Sequence, residues 1–544
     1  MKHILSRIIT SIENAPLSLA SFVTAFFALI VVRLLIENAL GFFGERSFFF
    51  FFFEFTHTFL FFLCSFLLLL PVVRFAGSID FRKAVNILLF GFLIILTPPI
   101  IDTVVFRGSQ FWSFYEFDSF IGLIGRFFML FGDTPDIGIT YGVRAEVVIV
   151  TLALGLYAFI RSRRAGKALL VSLLTYAILF VLGTFPAWLT LVILAFQKSF
   201  LAINASDVAA LFLTPEHLFA RSLTDFRSVL NVKMSVVYGA LSIFLAGSLL
   251  FREYPQYFIA LWKNSRLPQL IYHGGLLLLG MAMAMIFTEA PLTPGFFHIV
   301  GTFVLLSAVG CAWFASVIAN DCYDIRIDAH TNKTRPLIEN SIPSELYKAF
   351  GILFFIASLI LSGIISFSAM LLLLGYQAIA WLYSAPPLRL KRFPIIATAL
   401  AAFAGVLVLV IGFLVIAPNN SLSMLPRQII FFLFIAYALS LTIKDFKDMK
   451  GDALDHTYTL PVLLGATQAK LCIGSLLFLL YAASPLVINA RSLFVPAILF
   501  GSLAFWALQK GTDDETSLFA YRKLPGLVLT VTALYGLTIA YMLF

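Results

Sequence analysis

The stretch NDCYDIRID, residues Asn320–Asp328, ends a long apolar run and carries three carboxylates. A second acidic stretch, KDFKDMKGD at Lys444–Asp452, ends a later apolar run. Ionised groups beside so much apolar sequence need a compensating charge, because a buried charge is costly unless it is paired. A divalent metal ion between the two stretches, with an anion bound to it, would supply that compensation, so both stretches are candidate parts of one site.

The composition is that of a polytopic membrane protein. Of 544 residues, 61% are hydrophobic and 12% are charged, whereas soluble domains have about 25% charged residues. The formal net charge is +9, but the lysines and arginines lie in short loops between apolar runs. This distribution indicates membrane topology and argues against a nucleic-acid partner. The cysteines have neither Cys-x-x-Cys nor Cys/His spacing, so no zinc site is indicated.

Apolar runs of about 20 residues predict an all-α fold with two groups of spans. The first half is predicted to contain about six, of which the fifth is long enough to be tilted, or broken near Pro186. The second half is predicted to contain nine. The predicted spans are residues 17–43, 55–73, 84–105, 145–160, 168–197 and 234–251, then 269–288, 297–319, 347–366, 368–384, 394–417, 427–443, 469–488, 493–509 and 525–543.

A change of composition at residues 252–266 places the predicted domain boundary. Residues 1–265 form an N-terminal membrane domain of unknown function, and residues 266–544 form the domain that contains both acidic stretches. In the first span, Arg33 and Glu37 lie four residues apart on one helix face and are expected to form a structural ion pair.

Basic residues in short loops predict the orientation of the second domain. The loops that contain the acidic stretches, and the loops on the same side, are rich in lysine and arginine, whereas the alternate loops carry only Arg427 and Arg491. Both acidic stretches are therefore expected to face the cytoplasm. The protein is expected to be an integral multi-pass membrane protein, in the plasma or inner membrane if the source is prokaryotic.

The oxygen-bearing residues of each stretch fall on one helix face when successive residues are placed about 100° apart. Such rows of hard oxygen ligands suit Mg²⁺, which binds through one or two carboxylates, waters and substrate phosphates. The candidate metal ligands are Asn320, Asp321, Asp324 and Asp328 in the first stretch and Asp445, Asp448 and Asp452 in the second.

Basic residues flank both stretches and complete a candidate diphosphate site. Cations beside carboxylates that bind Mg²⁺ are suited to a diphosphate. An anionic head at the membrane edge implies a lipid tail in the membrane, and an isoprenyl diphosphate has both parts. The basic residues concerned are Lys333, Arg335, Arg389, Lys391 and Lys444.

Three blocks of sequence resemble the UbiA superfamily of intramembrane prenyltransferases. The first acidic stretch with Asn332–Leu337 resembles that family's first aspartate-rich loop, and Tyr383–Lys391 resembles its middle cytoplasmic loop. The second acidic stretch with Thr459–Gly465 resembles its second aspartate-rich loop. The sequence departs from the family pattern at Leu441, where a tyrosine is frequent, and at Glu339-Asn340, where a glycine is usual.

The resemblance implies a nine-helix bundle over residues 267–544 and a prenyltransferase mechanism. Two Mg²⁺ ions would bridge the diphosphate between the seven candidate metal ligands. The expected catalytic residues are Asp324, Asp448, Lys333, Arg335 and Lys444, and the expected diphosphate-binding residues are Lys333, Arg335, Arg389, Lys391 and Lys444. The implied partners are membrane lipids, an isoprenyl diphosphate donor and a small-molecule or lipid acceptor.

Several functions are compatible with these motifs. The main expectation is transfer of an isoprenyl group to an aromatic acceptor, as in quinone-type lipid biosynthesis. Within the same superfamily, the acceptor can instead be a glycerol-phosphate lipid, or a phosphoribosyl group can be transferred to a polyprenyl phosphate. A cation-coupled transporter is the alternative from another class, although transporter sites usually lie near the middle of the bilayer and not at the ends of spans.

Overall fold

The computed structural model describes residues 2–40, 48–106, 119–132, 139–288, 295–454 and 458–543. The chain divides into two compact units, Met1–Ile259 with Pro294–Val304 and Ala260–Thr293 with Leu305–Phe544. We call these the N-terminal unit and the C-terminal unit. The functional boundary expected at residue 265 stays a prediction.

Helices up to residue 253 account for most of the N-terminal unit. A short antiparallel hairpin pairs β1 (Glu216–Leu218) with β2 (Arg221–Leu223). The helices are α1 Lys2–Glu13, α2 Leu19–Leu40, α3 Phe48–Gly77, α4 Phe81–Gly91, α5 Thr97–Phe106, α6 Phe120–Phe128, α7 Tyr141–Ser162, α8 Ala165–Gly183, α9 Phe185–Leu194, α10 Ala205–Phe212 and α11 Phe226–Glu253.

Twelve further helices follow along the chain to its end. They are α12 Pro255–Lys263, α13 Leu267–Thr288, α14 Phe296–Tyr323, α15 Ile325–Thr331, α16 Ser344–Ile365, α17 Phe367–Ser384, α18 Pro394–Ile416, α19 Arg427–Leu441, α20 Asp445–Leu454, α21 Leu460–Ile488, α22 Phe494–Gln509 and α23 Leu524–Leu543. Short 3-10 segments occupy Phe92–Leu96, Phe200–Ala202, Leu390–Arg392, Pro418–Asn420, Thr442–Lys444 and Arg491–Leu493.

The membrane-spanning helices confirm the predicted all-α, polytopic class. Within the described residues, 14 helical segments are long and apolar enough to cross a membrane. Six lie before residue 254, as predicted, and eight lie after it. A shorter apolar helix, Leu524–Ile539, corresponds to the ninth predicted span of the second half.

The fifth predicted span is broken and not merely tilted. Helix α8 ends at Gly183, and α9 begins at Phe185 with Pro186 in its first turn. Thr184 between them has a non-helical backbone, with φ −110° and ψ 20°. Proline has no N–H to donate and fits only the first turn of a helix, so the chain restarts a helix at this point.

Two glycines allow α13 and α18 to pack with their backbones in contact. A Cβ atom added at Gly280 of α13 would overlap the carbonyl oxygen of Leu409, and one at Gly412 of α18 would overlap that of Leu277. Small residues permit this close approach of helices in a membrane, where packing and not the hydrophobic effect holds helices together. The contact is therefore reciprocal and leaves no room for a side chain.

Substituting Gly412 by alanine is expected to destabilise the protein by about 1–3 kcal/mol, because overpacking forces the two helices apart. The measurement is thermal unfolding of the purified protein in detergent. Gly375→Ala in α17 is the matched control, because a Cβ atom there meets nothing within 4 Å. Equal unfolding temperatures for the two variants would contradict the proposed contact.

Candidate active site

The first acidic stretch lies where α14 ends and α15 begins. Asp324 stands between these helices, and its side chain caps neither of them. The backbone still makes helix-like hydrogen bonds, from Asp324 N–H to the Asn320 carbonyl (3.0 Å) and from Asp328 N–H to the Asp324 carbonyl (2.8 Å). The stretch is therefore close to the single helix assumed from its spacing, with a break at Asp324. The three carboxylates are buried, with only 1% of Asp321, 8% of Asp324 and 5% of Asp328 exposed.

The loop after α17 lies against Asp324 and Asn320. Arg389 Nη2 donates to Asp324 Oδ1 at 2.9 Å, and Lys391 Nζ forms an ion pair with Asp324 Oδ2. Lys391 also donates to Asn320 Oδ1 at 3.1 Å, and the Ser384 hydroxyl donates to the same oxygen at 3.1 Å. The structure thus brings together four of the predicted site residues, Asn320, Asp324, Arg389 and Lys391.

The backbone of this loop brings Arg389 and Lys391 against Asp324. Arg389 has a left-handed conformation with φ 40°, which costs an L-residue roughly 1–2 kcal/mol. Strained backbone of this kind persists only where surrounding contacts hold it, and it is concentrated at functional sites. Burial, the largest effect, lowers the pKa of Lys391 below its ordinary value, although Asp324 acts in the opposite direction.

Asp321 is surrounded by hydrogen-bond donors. Arg266 Nη2 donates to Oδ1 at 2.9 Å, while Asn264 Nδ2 (2.6 Å) and the Tyr347 hydroxyl (2.7 Å) donate to Oδ2. Asn264 accepts in turn from Arg335 Nη1 at 2.7 Å, and Arg335 Nε lies 3.8 Å from Asp321 Oδ1. Asp321 therefore positions Arg335 and Arg266, and both of its oxygens already have partners.

Asp328 has one occupied oxygen and one without a donor. Its Oδ1 accepts from Asn332 Nδ2 at 2.9 Å. Its Oδ2 is buried and has no hydrogen-bond partner in the described part of the chain, the Nε atom of Arg335 being 3.9 Å away. Burial raises the pKa of Asp328, an effect that Asn332 and Arg335 oppose. A buried carboxylate oxygen without a donor is suited to a cation.

Helix α20 presents the second acidic stretch and is anchored by Phe446. That side chain is 2% exposed and stacks on Tyr521 with ring centroids 5.5 Å apart. Asp445 is half-buried, and Asp448 is exposed and forms a loose ion pair with Lys447 at 3.7 Å. An exposed ion pair of this kind contributes little to stability, so the Asp448 carboxylate is available to a ligand. Asp452 lies in the same helix, but its side chain is outside the described part of the structure.

Lys444, immediately before α20, lies close to residues that contact the first acidic stretch. It lies within electrostatic range of Tyr383 and Arg266, in addition to Asp445 and Asp448. Tyr383 precedes the serine that binds Asn320, and Arg266 binds Asp321. The beginning of α20 therefore lies near the residues that hold the first stretch. Lys333 is exposed on the loop after α15.

The residues present fit a magnesium ion that is completed by other ligands. Among the described side chains, no group of three or more His, Cys, Asp or Glu converges to hold a metal ion alone. Mg²⁺ usually binds through one or two carboxylates and completes its shell with waters and substrate phosphates. The unpartnered Asp328 Oδ2 and the exposed Asp448 carboxylate are donors of this kind.

Four residues of the site were not predicted from sequence: Asn264, Arg266, Tyr347 and Ser384. Arg266 is a basic residue at the start of a span, and Ser384 lies next to the Pro-Pro motif, so each carried a weak signal. Asn264 and Tyr347 carried none, because a lone amide in a loop and a tyrosine in an apolar helix are ordinary features. Only the fold reveals that they surround Asp321.

The fold and the site together define an integral membrane protein with a buried, mixed-charge site at the ends of its helices. Residues 276–524, somewhat less than half of the chain, match the model of the UbiA prenyltransferase family.

Named relatives share part of this region. A digeranylgeranylglyceryl phosphate synthase of Saccharolobus solfataricus is 30% identical over 187 residues, which are 34% of this chain and 64% of the relative. The chain thus spans somewhat less than two thirds of that protein. An enzyme of the same name from Methanothermobacter thermautotrophicus is 25% identical over 260 residues, or 43% of this chain and 86% of the relative.

Solved structures also align with about half of the chain. A UbiA homologue from Archaeoglobus fulgidus bound to GPP and Mg²⁺ has 20% identity and a TM-score of 0.39, covering 50% of this chain and 95% of the homologue. The apo structure of a UbiA homologue from Aeropyrum pernix K1 has 18% identity and a TM-score of 0.39. The alignment covers 51% of this chain and 99% of the homologue.

Proposed function

We propose that the C-terminal unit is a prenyltransferase that moves an isoprenyl group from an isoprenyl diphosphate to a lipid acceptor. The observation that carries this proposal is the Asp324 carboxylate held between Arg389 and Lys391 with Asn320 beside it. Two cations and a carboxylate row, buried at the end of membrane helices, suit an anionic head whose tail lies in the membrane. The match of residues 276–524 to the UbiA prenyltransferase family model supports the same proposal.

The cations of the site exchange partners when the donor binds. Without substrate, Arg389 and Lys391 are neutralised by Asp324. When the diphosphate enters, both cations turn to its oxygens, and the carboxylate is freed for a metal ion. Arg335, beside the first acidic stretch, and Lys444, at the start of the second, add positive charge around the group that departs. Charge stabilisation of this kind, in a site shielded from water, is the largest single contribution in many enzymes.

Magnesium is the metal that we propose for the site, held by Asp324 and Asp328 on one side and by Asp445 and Asp448 on the other. When bound, it would neutralise the diphosphate and favour its departure. We expect EDTA to abolish turnover and excess Mg²⁺ to restore it, whereas EDTA already saturated with Mg²⁺ has no effect. Diphosphate release is the measurement. Full activity after exhaustive chelation would contradict a role for the metal.

The names of the relatives favour a glycerol-phosphate lipid as acceptor over the aromatic ring of our first expectation. In this reaction the bond between C1 of the isoprenyl group and its diphosphate oxygen breaks, and the diphosphate leaves with the electron pair. The acceptor hydroxyl oxygen forms the new C–O bond. Its proton ends on the diphosphate product, so the products are an ether lipid and diphosphate.

The acceptor is tested by incubating the purified protein with labelled geranylgeranyl diphosphate and one candidate acceptor at a time. The first candidate acceptor is a glyceryl phosphate that carries one prenyl ether. The second is 4-hydroxybenzoate. A separate arm supplies phosphoribosyl diphosphate with a polyprenyl phosphate. We expect a labelled ether lipid in the first reaction only. A product in either other arm, without the ether lipid, would overturn the proposed acceptor.

We also propose that this site faces the cytoplasm, because the loops on its side of the C-terminal unit carry most of the basic residues. Isoprenyl diphosphates are charged and water-soluble at the head, so a donor made in the cytoplasm would reach this face directly. The test replaces the exposed Lys333 by cysteine and treats cells with a membrane-impermeant thiol reagent. Labelling of intact cells would contradict the proposal.

Lys391→Met is expected to lower kcat/KM for the donor about 10- to 100-fold. A charge-assisted hydrogen bond contributes about 1.5–3 kcal/mol, and the methionine retains the length of the side chain without its charge. The measurement is steady-state diphosphate release at varied donor concentration. The matched control is Arg392→Met, since Arg392 is exposed and makes only a long bond to the Arg389 carbonyl, at 3.4 Å. Equal losses in the two variants would show that the position of the charge is unimportant.

A further inference from the structure

We propose that the N-terminal unit contains a separate binding site for an amphiphile whose headgroup carries a protonated amine. A cavity of about 420 Å³ lies within this unit and is lined by α2, α3, α4, α5, α7, α8, α9 and α11. Cavities of about 300–1,000 Å³ are typical of sites for small molecules. No residue of this cavity belongs to the proposed prenyltransferase site.

The cavity wall contains ionisable side chains although most of it is apolar. The charged residues among its described lining are Arg33, Glu37, Glu54, Asp102, Glu146 and Arg227. An ionisable residue within a membrane span is costly and usually marks a ligand or ion site. A cavity lined by six such residues therefore differs from an apolar core, which only packs helices together.

Arg33 does not form the ion pair with Glu37 that their spacing predicted. Its Nη1 atom donates instead to the carbonyl oxygen of Ile95 at 2.5 Å, and its guanidinium lies over the ring of Phe62, 5.2 Å from the centroid. Its Nε atom is buried without a hydrogen-bond partner in the described part of the chain. The Nε–H group of Arg33 is therefore available to a ligand oxygen.

Apart from Glu54 and Arg227, which have contacts of their own, the charged lining comprises three carboxylates and one cation, Arg33. Asp102 and Glu146 are within electrostatic range of Arg33, but neither forms an ion pair with it within the described residues. Asp102 accepts hydrogen bonds from Gly142 N–H, at 2.7 Å, and from the Thr140 side chain. An ammonium group among these carboxylates would compensate their charge, whereas a phosphate would add repulsion. The unpartnered Nε–H of Arg33 suits a hydroxyl or carbonyl oxygen next to the amine.

The charged residues are concentrated at one end of the cavity. Glu37 lies near the C-terminal end of α2 and Asp102 near that of α5, while Glu146 and Arg227 lie in the first two turns of α7 and α11. In helices that cross a membrane alternately, these ends lie on the same side. Basic residues such as Arg161 lie at the opposite helix ends, which the positive-inside rule assigns to the cytoplasm.

The apolar part of the lining continues deeper along the same helices. Leu69 of α3, Leu88 of α4 and Leu154 of α7 belong to it. A molecule with a polar head at the outer ends of the helices and a hydrocarbon tail directed toward their middle matches both parts of the wall. The shape and the charge thus specify a lipid-like amine and not a free metabolite.

The test measures binding of hexadecylamine to the full-length protein in zwitterionic nanodiscs, with empty nanodiscs correcting for partition. A tail-labelled fluorescent amine is displaced by unlabelled hexadecylamine, hexadecanol or hexadecyl phosphate. We expect saturable binding in which the amine competes at least about tenfold better than either other compound. Absence of saturable binding, or equal or better competition by the alcohol or the phosphate, overturns the proposal.

Two variants connect binding to this cavity. Glu146→Gln removes one carboxylate, and Ala153→Phe fills the apolar wall; each is expected to weaken amine binding about tenfold. Glu345→Gln is the matched control, because that carboxylate is 88% exposed and lies outside the cavity. Folding is checked by monodispersity and unfolding temperature, and if one variant fails to fold the other decides. Unchanged amine affinity in a folded variant overturns the assignment.

Discussion

Replacing Asp324 by alanine is expected to lower diphosphate release by about 10³-fold or more. Asp324 is buried and is the one carboxylate of the first stretch that holds both cations of the middle loop. Its removal leaves Arg389 and Lys391 without their partner, takes a proposed metal ligand away, and disturbs the charge on which departure of diphosphate depends. The loss of a single preorganised electrostatic group alone costs about 10²–10³ in kcat.

Asp448→Ala is the companion variant on the opposite side of the site, with a loss of similar size expected. The measurement is release of diphosphate from a labelled isoprenyl diphosphate by purified protein, with unfolding temperatures recorded in parallel. Glu345→Gln serves as the control, because Glu345 is exposed and contacts only Lys348, at 2.9 Å. Activity retained in both aspartate variants would refute the proposed prenyltransferase site.

Asp321→Ala is expected to destabilise the folded protein by about 3–5 kcal/mol. This is the usual effect of removing one partner from a buried ion pair, because the remaining charge is left uncompensated. Asp321 is 1% exposed and accepts from Arg266, Asn264 and Tyr347. Alanine would leave these donors without an acceptor and would release Arg335 from its position.

Unfolding of purified Asp321→Ala in detergent measures the effect, and Asp448→Ala provides the contrast. Asp448 is exposed and makes a loose ion pair with Lys447, so its substitution should change stability by less than about 1 kcal/mol. The two variants are thus expected to differ. Asp321→Ala loses stability, whereas Asp448→Ala loses activity and stays folded. Wild-type stability of Asp321→Ala would show that its contacts are not structural.

The sequence predicted the site in outline because its chemistry is carried by short motifs. Asn320 and Asp324 are four residues apart, and helix periodicity alone places them on one face. The cations of the middle loop, Arg389 and Lys391, were identified from charge and position, and the structure places both against these two residues. Roles as metal ligands or diphosphate-binding groups stay predictions that the variants above test.

The role of Asp321 could not be read from the sequence. Its spacing made it equivalent to Asp324, yet its partners come from the residues before α13 and from α16, far away along the chain. Arg33 shows the same limitation. Its spacing to Glu37 predicted a local ion pair, but its guanidinium reaches a carbonyl 62 residues away.

The sequence by itself determined the class of protein, the two groups of spans and the acidic and basic residues of the site. These depend on local properties: apolar run length, helix periodicity and charge in loops. The tertiary structure alone decided which carboxylate is saturated by donors and which is shared with cations, and it revealed a charged cavity in the N-terminal unit. The physical reason is that hydrogen-bond partners and cavities arise where distant helices meet, and helix periodicity contains no information about which helices do so.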